Sequence, residues 1–300
     1  MPGESDSPLD RRMMAAKDGD GWARCERGHR HWGVHGASGL LAVHHDAGGT
    51  PHILMQKRSF WSHHGGTWGL PGGARDSHED SITSALREAR EEAALYGDGL
   101  RVQGVYLDDH GGWSFETVIA EAEGLLPAVP ANRESADLRW LPLDEVGARR
   151  LHPGFAETWP AVSRALRPLV VVLDAANIVG ARAEHGWWRD RAGATARLVS
   201  EVGALAGSGL RAVPERFPAL ARWFPRVLMV VEGAAREVPP VPGVTVLPAP
   251  GSGDDTIVRA VRNAPAWEQV LVVTADRALR ERVAEHGAEV TGPRWLLAQL

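Results

Sequence analysis

Glu88, Glu91 and Glu92 stand at i, i+3 and i+4 in the run EDSITSALREAREEAAL, so a helix over 79–95 places three carboxylates on one face. Ile82, Ala85, Leu86 and Ala89 recur at i, i+3, i+4 and i+7 and give the same helix an apolar face. Carboxylates this close repel one another unless hard divalent cations sit between them. An oxygen-only donor set favours Mg²⁺ or Mn²⁺ over zinc. Cations held this way bridge diphosphate oxygens, neutralise developing charge and lower the pKa of an attacking water. Just upstream, the Gly72-Gly73 pair lets backbone approach such a site closely. An acidic amphipathic helix alone would explain the glutamates, but not the glycine pair and the Glu79-to-Arg87 spacing that accompany them.

From Gly73 to Glu92 the spacing is G-x5-E-x7-R-E-x-x-E-E, carried by Gly73, Glu79, Arg87, Glu88, Glu91 and Glu92. These residues resemble the box of the Nudix hydrolase family, G-x5-E-x7-R-E-U-x-E-E-x-G-U, where U is aliphatic. The one departure is Ala94, where the box has its last glycine, at the C-terminal end of the helix. The resemblance implies an α/β/α sandwich with a mixed sheet that hydrolyses nucleoside diphosphates linked to another moiety. It also implies that Glu88, Glu91 and Glu92 ligate Mg²⁺ or Mn²⁺ with the Gly73 carbonyl, and that Glu79 and Arg87 form a helix-orienting salt bridge. One of Glu91, Glu92 or Glu134 is then the base. Glu134 is included because RESADLRWLPLDEV resembles the late segment in which Nudix sequences place a Glu before a Trp-containing strand.

A second set of candidates lies in the other half. Asp174 ends LVVVLD and is followed by Asn177, Asp254-Asp255 open the segment GDDTIVRAV, and Asp276 follows QVLVVT. In a parallel α/β sheet ligands bind beyond the carboxyl ends of the strands, so carboxylates there are placed to share one divalent cation. Asp residues at helix starts also serve as plain N-caps, and that reading of Asp254 and Asp276 stands beside the first. The D-x-x-N, acidic-pair and V-V-T-x-D-R motifs resemble the PIN-like superfamily, particularly its NYN branch. That resemblance implies a Mg²⁺-dependent ribonuclease with Asp174, Asp255 and Asp276 as metal ligands and Asn177, Asp254 and Thr274 in support. Glu232, which also ends a strand, is a further candidate.

These residues need two scaffolds, and 300 residues is about twice the ~150-residue domain prior. Short apolar runs with glycine punctuation over 38–45, 51–59, 101–109, 113–123 and 136–146 predict strands of a mixed sheet around the helix at 79–95. The runs at 169–174, 226–232, 243–247 and 269–274 lack alternation, the pattern of strands buried on both faces. Helical segments near 191–206, 214–223, 254–263 and 276–286 then predict a parallel, three-layer α/β/α domain. The expected organisation is a flexible tail over 1–28, a Nudix domain over 29–150, a linker helix over 151–168 and the PIN-like domain over 169–300.

Composition narrows the class. Hydrophobic residues at 44% and charged residues at 24% describe an ordinary globular chain. The lone Cys25 excludes an intrachain disulfide or a cysteine-rich zinc site. No signal-like leader or long apolar stretch occurs, so a cytoplasmic protein without membrane contact is expected. Residues 168–300 carry net charge +1 and residues 1–167 net −6, so neither half is a basic nucleic-acid clamp. A small nucleotide is the expected partner, with RNA as a partner of the second half and a nucleotide-sensing regulator as a third reading. Nine histidines between His29 and His78 leave a metal site open as an alternative, but they match no compact ligand spacing and read first as surface or substrate contacts. Among the tryptophans, Trp61, Trp68 and Trp113 are candidates to stack on a purine.

Overall fold

The computed structural model describes residues 17–182 and 188–300. The part of the expected tail before residue 17 lies outside the described residues. Residues 17–28 correct the reading of that stretch as tail. The strands β1 (Trp22–Arg24) and β2 (Arg30–Trp32) pair antiparallel, with Cys25 buried at the turn between them.

A large mixed sheet follows, built from β3 (Ala37–His45), β4 (Pro51–Arg58), β5 (Trp68–Gly69), β6 (Gly72–Ala74), β7 (Leu100–Asp109), β8 (Ser114–Ala122) and β9 (Ser135–Pro142). The β3–β8 pair is parallel, while β4 and β6 run antiparallel to β3. The helix α1 (Ser81–Ala93) buries Ala85, Ala89 and Ala93 against Leu40, Ala42 and Val118 on one face. On the other face α2 (Leu143–Val146) and α3 (Pro153–Val162) pack Val146, Phe155 and Val162 against Leu41, Ile53 and Ile119. Strict in-out alternation along β3 makes both faces apolar, which is why helices cover both.

The second sheet is parallel throughout. In chain order its strands are β10 (Leu169–Asp174), β12 (Arg226–Val231), β13 (Val244–Pro248), β14 (Gln269–Val273) and β15 (Glu289–Thr291), and in space they run β13-β12-β10-β14-β15. Leu169, Val171 and Leu173 face α4 (Ala175–Arg182), α5 (Arg191–Ser208) and α8 (Pro293–Leu297), while Val170 and Val172 face α6 (Gly253–Arg262) and α7 (Arg277–Ala284). This is the expected three-layer α/β/α arrangement with a parallel sheet. The strand order reverses between β10 and β14, and the crevice beyond their carboxyl ends is where such sheets bind ligands.

The segment 214–223, expected as a helix, has a different fate. Pro214 and Pro218 interrupt it, and β11 (Arg222–Trp223) joins the edge of the first sheet by pairing Arg222 and Trp223 with Val105 and Gly104 of β7. Trp223 is at the same time buried in the core of the second sheet. Tertiary pairing at an open sheet edge thus outweighed the local helix pattern. Among the described residues no helix is long and apolar enough to cross a membrane.

Candidate active site

Asp80 caps the N-terminus of α1, its carboxylate accepting the Thr83 N–H at 2.8 Å. The helix then ends at Ala94, whose φ of 53° and ψ of 30° lie in the left-handed region. The glycine of the Nudix box is the residue best suited to that conformation, and Ala94 adopts it without one.

Between these ends the helix carries its carboxylates in three different environments. Arg87 grips Glu79 through Nε–H to Oε1 at 2.8 Å and Nη2–H to Oε2 at 2.9 Å, and its Nη1–H reaches Glu88 at 2.6 Å. Burial by itself would raise the Glu79 pKa, but the hydrogen bonds from Arg87 and from the Asp76 N–H outweigh it and hold Glu79 below its ordinary value. Glu88 goes the other way, because desolvation exceeds what Arg87 returns. Glu91 is the most exposed of the three and pairs with Lys17 at 2.7 Å. Glu92 is buried and, among the described residues, has no cation in contact and accepts one hydrogen bond, from Gly72 N–H at 2.8 Å. Desolvation, with Glu88 and Glu134 adding like charge, pushes its carboxyl up to about 8.

The donor set fits a hard divalent cation. Glu88 and Glu92 offer oxygen donors whose charge burial leaves under-compensated. Gly73 lies against them: a Cβ there would stand 2.8 Å from the Glu88 carboxyl carbon, so a larger residue would push that carboxylate aside. Gly72 is the more tightly constrained, since a Cβ would stand 2.5 Å from the Ser38 carbonyl oxygen and 2.6 Å from Gly39 Cα.

On the other side of Gly72-Gly73 opens a cavity of about 520 Å³. Trp22, His31, Trp32, Trp113 and Phe115 line it with aromatic rings, together with Arg58, His63, His64 and His152. Of the tryptophans singled out from sequence, only Trp113 lines this cavity. Trp68 is buried in the core and Trp61 is exposed, because β5 turns the first inward while the loop after β4 turns the second out. Trp22, Trp32, Arg58 and His152 were missed. Trp22 fell in the segment read as tail, Trp32 and Arg58 carried no motif, and the signal for His152 is its place just before Pro153. His152 is desolvated and lies near Arg58 and His64, and its pKa falls to about 4. Glu134 stands exposed in the turn just before β9, within electrostatic reach of Glu92.

In the second sheet, Asp174, Asn177, Glu232, Asp254 and Asp276 line a cavity of about 280 Å³ at the reversal of strand order. Asp174 accepts the Thr274 hydroxyl at 2.9 Å and the Asn177 N–H at 3.0 Å. Burial first, then Asp254 and Glu232, hold Asp174 above its ordinary pKa. Asp255 does not join them. It turns outward to Arg282 at 2.6 Å, so Asp254 takes the position expected of Asp255. Successive helical residues point about 100° apart, and the sequence DD does not say which one faces in. Asp276 also caps α7 through the Leu279 N–H, so the capping reading and the cavity position hold together.

Comparison with known proteins places the first sheet and its helix. The NUDIX domain family model matches residues 35–162. A Mycobacterium tuberculosis protein named "Putative 8-oxo-dGTP diphosphatase 3" is 49% identical over 148 residues, covering 47% of this chain and 68% of that protein. A "Nucleoside triphosphate pyrophosphatase/Nudix hydrolase fusion protein" of Bifidobacterium longum is 43% identical over 155 residues, 50% of this chain and 32% of that protein. The crystal structure of the Nudix hydrolase RenU from M. smegmatis has 47% sequence identity and covers 48% of this chain and 93% of its own, with a TM-score of 0.46. Given the box on α1 and near-half identity across more than two thirds of the M. tuberculosis protein, the chain belongs to the Nudix hydrolase family and is a pyrophosphohydrolase.

Proposed function

We propose that the chain hydrolyses the pyrophosphate bond of a nucleoside diphosphate linked to another moiety, with Mg²⁺ or Mn²⁺ held by Glu88, Glu91, Glu92 and the Gly73 carbonyl. The observation that carries this reading is the placement of Gly72-Gly73 between an aromatic cavity and the under-compensated carboxylates of α1. The cation supplies charge neutralisation of the diphosphate and acidification of water. The chain supplies the rest. The aromatic lining offers stacking area to a base, Arg58 offers a fixed positive charge beside the cavity, and Gly72 N–H orients Glu92. As the water oxygen bonds to phosphorus and the bridging P–O bond breaks, the water's proton passes to one of Glu91, Glu92 or Glu134. The name of the M. tuberculosis relative puts oxidised purine nucleoside triphosphates in the substrate panel beside nucleotide sugars and dinucleotides. Product formation should appear with Mg²⁺ or Mn²⁺ and vanish in Glu92→Gln; turnover unchanged by that substitution would overturn the reading.

The unit boundaries proposed are 29–150 for the Nudix domain, extended by the β1–β2 hairpin, then a linker over 151–168 and a PIN-like domain over 169–300. For the second unit, four carboxylates around one cavity at the switch point support a Mg²⁺-dependent ribonuclease reading with Asp174, Asp254 and Asp276 as the metal-facing set. Metal-dependent RNA cleavage lost in Asp174→Asn and kept in Asp255→Asn is the expected result. Absence of cleavage by the unsubstituted chain would remove that reading and leave the Nudix reaction intact.

A further inference from the structure

We propose that Cys25, His29, His31 and His110 form a structural zinc site that clamps the β1–β2 hairpin onto the turn between β7 and β8. One ligand atom from each of the four lies within 4.8 Å of the other three. A tetrahedral zinc with Zn–S near 2.3 Å and Zn–N near 2.0–2.1 Å has donor-to-donor edges of roughly 3.3–3.7 Å, so small side-chain movements close the shell. One thiol and three imidazoles make a soft-to-borderline donor set, which selects zinc over the hard cations suited to the glutamates of α1.

Among the described residues, two ring nitrogens of this group have nothing to bond. His31 Nε2 and His110 Nδ1 are both buried and have no hydrogen-bond partner, an arrangement that costs free energy unless something is bound between them. The other ring nitrogen of His110 sits 2.9 Å from Asp108 Oδ2, the carboxylate–histidine pairing that orients metal-bound imidazoles and makes them better ligands. His31 is fixed by stacking on Trp113, with ring centroids 4.0 Å apart and planes 10° from parallel. The turn of the hairpin is already drawn toward the β7–β8 turn, since Glu26 N–H donates to the Gly111 carbonyl at 2.9 Å and Arg27 Nη2 to the Asp109 carbonyl at 2.7 Å.

The site has a structural purpose. A hairpin of two three-residue strands buries little on its own. Four protein ligands leave no open coordination position, so the metal would act as a staple and not as a catalyst. Because Trp22, Trp32, His31 and Trp113 line the large cavity, with Trp22 against Trp32 and His31 against Trp113, the staple would also hold that part of the lining in place.

The full chain loaded with zinc and dialysed against excess Mg²⁺ should retain one zinc per chain by atomic emission. Cobalt substitution should give a thiolate-to-cobalt charge-transfer band. Cys25→Ser should abolish that band and weaken zinc binding at least tenfold, His110→Gln should weaken binding likewise, and Asp108→Asn should weaken it about tenfold or more. His64→Gln, in the neighbouring histidine group, should keep the zinc. The proposal is overturned by the lack of a charge-transfer band in the unsubstituted chain, which needs no variant to fold. It is equally overturned by zinc retained in Cys25→Ser, or by zinc lost in His64→Gln and kept in Cys25→Ser.

Discussion

Arg87 binds Glu79 with two hydrogen bonds of 2.8 and 2.9 Å while its third nitrogen holds Glu88 at 2.6 Å, so one guanidinium joins the loop before α1 to a proposed metal ligand on it. The Glu79 side chain is only 5% exposed. Removing its partner leaves a buried charge without compensation, a change worth about 3–5 kcal/mol. Arg87→Ala should therefore lower the unfolding free energy by about 3 kcal/mol in urea titrations. Arg87→Met combined with Glu79→Gln should cost less than the two single changes together. Additive losses would show that the pair does not couple.

Glu92→Gln separates chemistry from folding. Glutamine keeps an oxygen to accept the Gly72 N–H and removes a charge whose burial pushes the pKa to about 8. Stability at pH 9 should be unchanged or higher, while kcat falls by about 10²-fold or more. Thermal unfolding and steady-state rates on the same preparation test both halves of this expectation. A fall in both together would make Glu92 a structural residue.

Ala94→Gly restores the residue type that the left-handed helix terminus favours. An L-residue at φ 53° carries a cost of about 1 kcal/mol that glycine does not. The variant should be more stable by about that amount, with its denaturant midpoint raised and its m-value unchanged. A lower midpoint would mean that the methyl group of Ala94 contributes packing that outweighs the backbone strain.

The helix of the box, its apolar face and the runs of the parallel sheet were legible because each is a local pattern with a fixed period. What remained hidden depends on contacts between distant segments. His110 joins Cys25 only because the β7–β8 turn folds over the first hairpin, so the ligand spacing spans 85 residues and matches no compact motif. The resemblance favours Asp255 over Asp254, but the adjacent pair itself does not say which faces in, and the orientation of α6 puts Asp254 in the cavity with Asp174 and Asp255 against Arg282. The left-handed conformation of Ala94 was hinted at by the glycine that the box has there.

His152 gives the cavity a pH signature. Its folded pKa of about 4 lies below the ordinary 6.5, so between those values the unfolded chain binds more protons than the folded one. Stability should fall as pH drops from 6.5 to 4 and level off below that. Because the ring is partly exposed, its share is about 1–2 kcal/mol after screening. His152→Gln should flatten the acid limb of the stability curve by that amount in urea titrations at pH 7, 5.5 and 4.5. An unchanged slope would assign the acid limb to other groups.

Trp223 links the two sheets mechanically. Its backbone pairs with Gly104 at the edge of the first sheet, and its indole is 2% exposed in the core of the second. Phe224 extends the link, donating its N–H to the Gln103 carbonyl at 2.9 Å and accepting from Arg101 Nη1 at 3.0 Å. Trp223→Ala removes a large buried side chain, a change worth about 3–5 kcal/mol, and the loss should reach both sheets. Amide hydrogen exchange should accelerate in peptides covering β7 as well as β10 and β12. Acceleration confined to 169–231 would mean that β11 rests on the first sheet without bearing load, and that the two halves unfold independently.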